Sequence, residues 1–455
     1  MLKRRGFARR GSARLRAVVF GLLMCPVAVL CVLVLVYRRP SPPPLLAPPQ
    51  SANSSLKQRP LHFIYTVGCG GASDTDWQLL QSNVLDSSFR QVGQRGKLTR
   101  LVSGCVDDPI KQKAMSQSVL DNLDVVFLPG NDRPDNARVY VQANRPTTLQ
   151  RYLNDLLLLD GSNYALNTVL VVLDPDFVFR KTLDDGLLFM VGPGRFLTQA
   201  YSLQDPNSYA MEACKEAALT APHLPAHVCH ELVGLRSYKE FHGGVPYMLE
   251  IKDWLKLLEW WIPLIGPVLK RYPGIESDMI SWALAAKLAG LQGTRHIGFM
   301  ATCMSSETLP VSVLEQQTWL HLCQSYYLPE TRGGEFEVNP TSELEHIMSR
   351  AKPKPEEKFM YVFNKHWLKS SRLLEDCTVP LLVGPPSLPN GITGSRELWF
   401  QHVLQEAITA YNRAVVEFRA KYFSHCQPSA STKGLILHEI HRSRYGGGWS
   451  HSINL

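Results

Sequence analysis

The sequence predicts an α/β domain built on a mostly parallel sheet. Three observations lead there. The chain is 45% hydrophobic and 19% charged, so its 455 residues can bury a core and do not read as a disordered polymer. From residue 61 onward, short apolar runs alternate with helical stretches, the pattern of β-α-β units. Trp254, Leu257, Leu258 and Trp261 have the i, i+3, i+4, i+7 spacing of a helix with one apolar face. That stripe reads as core rather than as a binding platform.

The elements follow in order. His62–Val67 is a buried strand, followed by a Gly-rich turn and a helix near Trp77–Phe89. Leu98–Val102, Val125–Leu128 and Val169–Leu173 are further strands; Arg151–Leu159 and Met279–Leu291 are helices. No internal repeat is evident, and Lys352–Lys358 reads as a solvated loop.

The net charge of +8 belongs to the N-terminus. Residues 1–16 carry seven basic side chains and no acid, and Arg38 and Arg39 add two, so residues 40–455 hold one net negative charge. A nucleic-acid footprint needs a basic excess on the domain itself, so no nucleic-acid partner is expected. Residues 17–37 contain no charge. As a helix they would rise about 31 Å, the thickness of a hydrocarbon core. This is longer than the apolar part of a cleaved signal peptide, and the basic flank puts the N-terminus in the cytosol. The expected organisation is a cytosolic tail (1–16), a membrane anchor (17–37), a Pro-rich stem (38–60), a lumenal domain (61–430) and a C-terminal tail (431–455). The stem holds seven prolines and the glycosylation sequon Asn53-Ser54-Ser55.

Eight of the ten cysteines would be lumenal, where an even count implies disulfides. Cys69–Cys105 is the expected pair, since both sit just past predicted strands. His223, His227, Cys229 and His230 could form a zinc cluster, but Pro222 and Pro225 argue for an irregular segment instead. Gly68, Gly70, Gly71 and Ser73 are a near-match to a dinucleotide fingerprint and read as a turn, because Ser73 replaces the third glycine. Hydrolase elbows, Walker loops and His-Glu-x-x-His motifs are missing from the sequence.

The sharpest chemical signal is Leu173-Asp174-Pro175-Asp176-Phe177. Two carboxylates emerge at the C-terminal end of an apolar strand, where open α/β sheets place ligands. Alternation along an extended chain would aim Asp174 and Asp176 to one side, able to share a hard cation that neutralises a departing diphosphate.

Together with that motif, an ordered series resembles the hydroxyproline O-arabinosyltransferases and peptidyl-serine α-galactosyltransferases of plants and green algae. The series comprises Gly96–Cys105, Asn144-Arg145-Pro146, Leu173–Phe179, His242-Gly243-Gly244-Val245-Pro246-Tyr247, Glu276-Ser277-Asp278-Met279, His321–Tyr326, Phe363-Asn364-Lys365-His366 and Pro380–Pro386. The likeness covers about residues 61–390. It implies a GT-A-like fold and a metal-dependent, retaining transfer of sugar from a UDP-sugar to hydroxyproline or serine hydroxyls of a secretory protein. The membrane would be that of the Golgi or endoplasmic reticulum. Mn²⁺ or Mg²⁺ would be held by Asp174, Asp176 and His321, with His296 a rival histidine. Thr66, Asn144, Arg145, Gly243 and Gly244 would contact the donor, and Glu276 and Asp278 would face the acceptor as catalytic carboxylates. Asp174-Pro175-Asp176 lies between the arabinosyl and galactosyl forms of the motif, which leaves the donor sugar open. The tail from Ser429 has no counterpart in that family. A non-catalytic carbohydrate-binding or scaffold protein on a transferase fold is the alternative.

Overall fold

The computed structural model describes residues 59–426 except 70–71, 131–143, 160–165, 204–208, 233–240, 273–275, 302–314, 323–325, 330–358, 364–367, 388–394 and a few shorter stretches. The expected anchor, sequon and C-terminal tail lie outside the described residues, as do Gly70, Gly71, His223 and the segment 352–358. Among the described residues, no helix is long and apolar enough to cross a membrane.

Twelve strands are described. They are β1 (Leu61–Gly68), β2 (Lys97–Ser103), β3 (Asp124–Leu128), β4 (Val169–Leu173), β5 (Phe177–Phe179), β6 (Arg195–Ala200), β7 (Gly243–Glu250), β8 (Gln292–His296), β9 (Met300–Ala301), β10 (Trp319–His321), β11 (Tyr326–Pro329) and β12 (Phe359–Phe363). The helices are α1 (Ala72–Gln91), α2 (Pro109–Met115), α3 (Arg145–Leu159), α4 (Asp185–Leu188), α5 (Ala210–Thr220), α6 (Ile251–Arg271), α7 (Ser277–Leu288) and α8 (Ser395–Tyr422). A seven-stranded sheet runs β3-β2-β1-β4-β7-β6-β8. Its pairs are parallel except at β7, which runs antiparallel to both neighbours. The fold is therefore mixed α/β with a mostly parallel sheet, as expected. A small sheet, β5-β10-β9, lies beside it in the topology.

Side chains alternate across a strand, so β1 shows how both faces are covered. Phe63 meets Phe89 of α1 on one face, and His62 meets Tyr152 of α3 on the other. Trp254, Leu257, Leu258 and Trp261 are fully buried on α6, where the Trp254 indole donates to the Leu170 carbonyl. The stripe is core.

Strand β7 was not anticipated, because a Gly-Gly-Val-Pro run contradicts a central strand. The register explains its place. Thr198 pairs with Tyr247 and Gln199 with Gly244, so Val245 and Pro246 sit in a bulge where no ladder hydrogen bond is needed. Helix α3 begins six residues before the expected Arg151, since Pro146 is well placed in a first helical turn.

Among the described residues three disulfides are formed: Cys69–Cys105, Cys214–Cys229 and Cys377–Cys426. The first joins the ends of β1 and β2, as expected. The second removes the Cys229 thiolate from any zinc cluster with its neighbouring histidines.

Polar side chains are also built into the core. Arg100 and Asp86 are an ion pair with both side chains fully buried. His62, bonded to Thr99 Oγ1 at 2.8 Å, is held near pKa 3 by burial first and by the charge of Lys97 second. A depressed histidine pKa means the unfolded chain binds the proton first, so this contribution is complete above about pH 6.5 and is lost as pH falls toward about 3. About 2 kcal/mol should be lost by about pH 5. Urea unfolding at about pH 7.5 and about pH 5 should show this drop in wild type, and a smaller one in His62→Gln. Equal pH dependence in both proteins would refute it.

Candidate functional site

The strand order reverses between β1 and β4. Strands β2 and β3 lie to one side and β7, β6 and β8 to the other, which opens a crevice at the C-terminal ends. Asp174 follows the last residue of β4 at this point.

The motif is a turn rather than an extended segment. Phe177 N donates to the Asp174 carbonyl at 3.3 Å, with Pro175 at the second turn position, where its fixed φ is favourable. The turn folds β4 directly into β5. Strand β10 then pairs antiparallel with β5, placing His321 opposite Phe177. Leu322 N donates to the Asp176 carbonyl, anchoring the same edge. The distant histidine is thus carried to the motif by sheet pairing.

His321 Nε2 lies 3.7 Å from Asp174 Oδ2 and 3.4 Å from Asp176 Oδ1. One atom from each residue can be chosen so that all three lie within 4.8 Å of one another. Phe177 packs edge-on against the imidazole at 4.7 Å, and Tyr201 Oη lies 3.3 Å from its Nδ1. His296, the rival, sits on β8 and accepts from Gly298 N through its own Nδ1. Burial lowers its pKa, and it is not in the cluster.

Arg145 heads α3 and is 2% exposed. It pairs with Asp174 Oδ1 through Nη2 and with Asp278 Oδ2 through Nη1 at 2.9 Å, while its Nε approaches Thr66 Oγ1 at 3.5 Å. The two oxygens of Asp174 therefore have separate neighbours: Oδ1 faces Arg145 and Oδ2 faces His321. Asp278, in the first turn of α7, has its pKa raised to about 6. Burial is the main cause; Arg145 opposes it and the Asp174 charge adds to it.

With all groups ionised, Asp174, Asp176 and Asp278 against Arg145 leave a net charge of −2 in a water-poor site. Buried charge demands compensation, and a divalent cation matches this one. Two hard oxygens and an imidazole nitrogen suit Mn²⁺ better than Mg²⁺, which prefers oxygen alone. The residues present fit a metal ion.

Gly243 and Gly244 sit on β7 where side chains would collide. A Cβ on Gly243 would fall 2.3 Å from Thr198 Cγ2, and one on Gly244 would fall 2.5 Å from the Tyr201 ring. Glu276 is buried at the N-terminus of α7, and Asn144 is half-buried just before α3. The structure thus brings Thr66, Arg145, Asp174, Asp176, Asp278 and His321 into one contact network, and Gly244 touches it through Tyr201.

Two tyrosines were missed by sequence reasoning. Tyr201 is one. Tyr411 of α8 is fully buried; burial and then the charge of Asp176 push its phenol above the ordinary range. Its hydroxyl has no hydrogen-bond partner among the described residues. Neither tyrosine lies in a recognisable motif. A second group, Cys377, His425 and Cys426, is closed to metal by its disulfide.

No protein-family model and no curated protein matches the chain. Among solved structures, the apo form of the WbbM bifunctional glycosyltransferase is similar at 10% identity and a TM-score of 0.33. The match covers 60% of this chain and 47% of that one, so the chain spans about half its length. The chemistry of the site rests on its own geometry.

Proposed function

We propose that this chain is a glycosyltransferase that moves arabinose or galactose from a UDP-sugar to hydroxyproline or serine hydroxyls of a secretory-pathway protein, with retention of configuration. The single observation that carries the reading is the Asp174–Asp176–His321 cluster at the strand-order reversal. Mn²⁺ held there would act as a Lewis acid on the donor diphosphate and offset the charge of departing UDP. Arg145 fixes Asp174 so that Oδ2 is presented to the site. Thr66, Asn144, Gly243 and Gly244 form the donor side of the proposed site. Residues 17–37 would anchor the chain in the Golgi or endoplasmic-reticulum membrane with the catalytic domain in the lumen, and the three disulfides agree with an oxidising compartment.

The test is to incubate the full-length protein with a panel of UDP-sugars and Hyp- or Ser-containing peptides, reading mass gain with and without EDTA. No transfer from any donor, or full transfer in EDTA, would reject the reading. Protease added to sealed microsomes should spare the C-terminal domain; digestion would reject the orientation.

Asp278 and Glu276 are assigned to the acceptor side. An alcohol is a poor nucleophile at neutral pH, so its proton must go to a positioned base or to the diphosphate. Asp278→Asn should lower kcat by about 10²-fold while UDP affinity changes little. Transfer kinetics beside calorimetric UDP binding decide this. Loss of UDP binding would instead assign Asp278 to holding Arg145 against Asp174.

A further inference from the structure

We propose that Arg180 and Glu406 are positioning residues: by tying the end of β5 to α8, they clamp Asp176 and His321 at metal-binding distance. This rests on the reading of Asp174, Asp176 and His321 as a metal site. It gives a task to α8, which lies beyond the residues that carry the family resemblance.

Asp176 and His321 belong to different strands. Asp176 immediately precedes β5, and His321 ends β10. Three residue pairs join the two strands: Phe177 with His321, Val178 with Leu320 and Phe179 with Trp319. A ladder this short has few hydrogen bonds to resist sliding. A slip of one residue would turn the side chains of the shifted strand to the opposite face. The histidine would then leave the carboxylates, which it meets at 3.4 and 3.7 Å. Packing of Phe177 and Phe179 on Trp319 holds the strands together, but apolar contact is not directional.

Arg180 supplies the direction. Its backbone N–H donates to the Thr318 carbonyl at 2.9 Å, extending the ladder by one step. Its guanidinium donates through Nε and Nη2 to the two oxygens of Glu406, at 2.6 and 3.0 Å. A planar fork on a carboxylate fixes orientation as well as distance. His402, one turn earlier on α8, also meets Glu406 Oε1, at 2.7 Å. The Arg180 side chain is 12% exposed and that of Glu406 31%, so water competes only in part with the pair.

The helix is anchored independently of this pair. Glu417 Oε2 accepts from Ser87 Oγ and pairs with Arg90, both on α1. Asn412 exchanges two hydrogen bonds with the backbone of Leu382, and the Tyr422 hydroxyl does the same with Ser118. Helix α1 gives β5 a neutral hydrogen bond, from Phe179 N to Ser88 Oγ; α8 gives it the ionic fork.

The test compares Arg180→Met, Glu406→Gln, Glu417→Gln, Asp176→Ala and the exchanged pair Arg180→Glu with Glu406→Arg against wild type, all as full-length proteins. Mn²⁺ affinity is read by calorimetry, and melting temperature without metal is the folding control. Arg180→Met and Glu406→Gln should each bind Mn²⁺ about 10-fold more weakly, the scale set by losing a hydrogen bond to a charged group. The exchanged pair should recover part of that loss. Glu417→Gln loosens α8 from α1 without touching β5, and should bind Mn²⁺ like wild type. A lower melting temperature with wild-type Mn²⁺ affinity in Arg180→Met and Glu406→Gln would mark a merely structural pair. That result, with binding lost in Asp176→Ala, would overturn the clamp and leave the metal site standing. An equal loss of affinity in Glu417→Gln would also overturn it, because docking of the helix as a whole would then govern the metal. Unchanged affinity in Asp176→Ala would overturn the clamp and the metal site together.

Discussion

Asp176→Ala is expected to abolish Mn²⁺-dependent UDP binding and to lower sugar transfer by about 10³-fold or more, since Lewis-acid stabilisation of a leaving diphosphate is worth several kcal/mol. The carboxylate belongs to a turn at the mouth of the sheet, so its loss should leave the fold in place. Asp174→Ala should remove the same activity and add a stability defect. Asp174 is one of the two carboxylates paired with the buried Arg145 guanidinium, and a hydrogen bond to a charged group is worth about 1.5–3 kcal/mol. Calorimetric UDP titration with and without Mn²⁺, transfer assays and urea unfolding separate the two effects. Wild-type transfer in either variant would sink the assignment. Equal stability of the two variants would show that Arg145 does not depend on Asp174.

Asp86→Ala should destabilise the protein by about 3–5 kcal/mol without touching the site, the usual result of stranding a buried charge. Arg100 is fully buried, cannot shed its proton, and pairs with Asp86. Its Nε donates to Tyr65 Oη and its Nη1 to the carbonyls of Met115 and Gln117, while Tyr65 and Ser118 donate to Asp86. The network ties β1, β2, α1 and the end of α2 together. Replacing both charges, as in Asp86→Leu with Arg100→Met, should recover much of the loss because no uncompensated charge remains. The readout is the urea midpoint of each variant. A single mutant as stable as wild type would mean that the remaining donors and acceptors suffice for Arg100.

Apolar runs made the parallel half of the sheet legible. His62–Val67, Leu98–Val102, Val125–Leu128 and Val169–Leu173 became β1 to β4 within a residue or so, because the buried strands β1, β2 and β4 are mostly apolar and the edge strand β3 keeps an apolar run although it is half-exposed. Strands β6, β7 and β8 were not read. Gln292–His296 is an edge strand with mostly exposed side chains, and β7 hides its bulge behind glycine and proline. Edge exposure and a register shift leave no periodic pattern to read.

By itself the sequence determined the alternation of elements, the Asp174/Asp176 pair at a strand end and the cysteine pair that joins β1 to β2. Each depends on residues close in sequence, or on hydrophobic period, which acts locally. Tertiary structure alone decided that the motif is a turn, that β10 carries His321 to it, and that Arg145 divides its pairing between Asp174 and Asp278. It also decided that Tyr201 reaches Nδ1 across a glycine. These contacts join residues far apart in the chain, and only strand pairing and core packing bring them within hydrogen-bond distance.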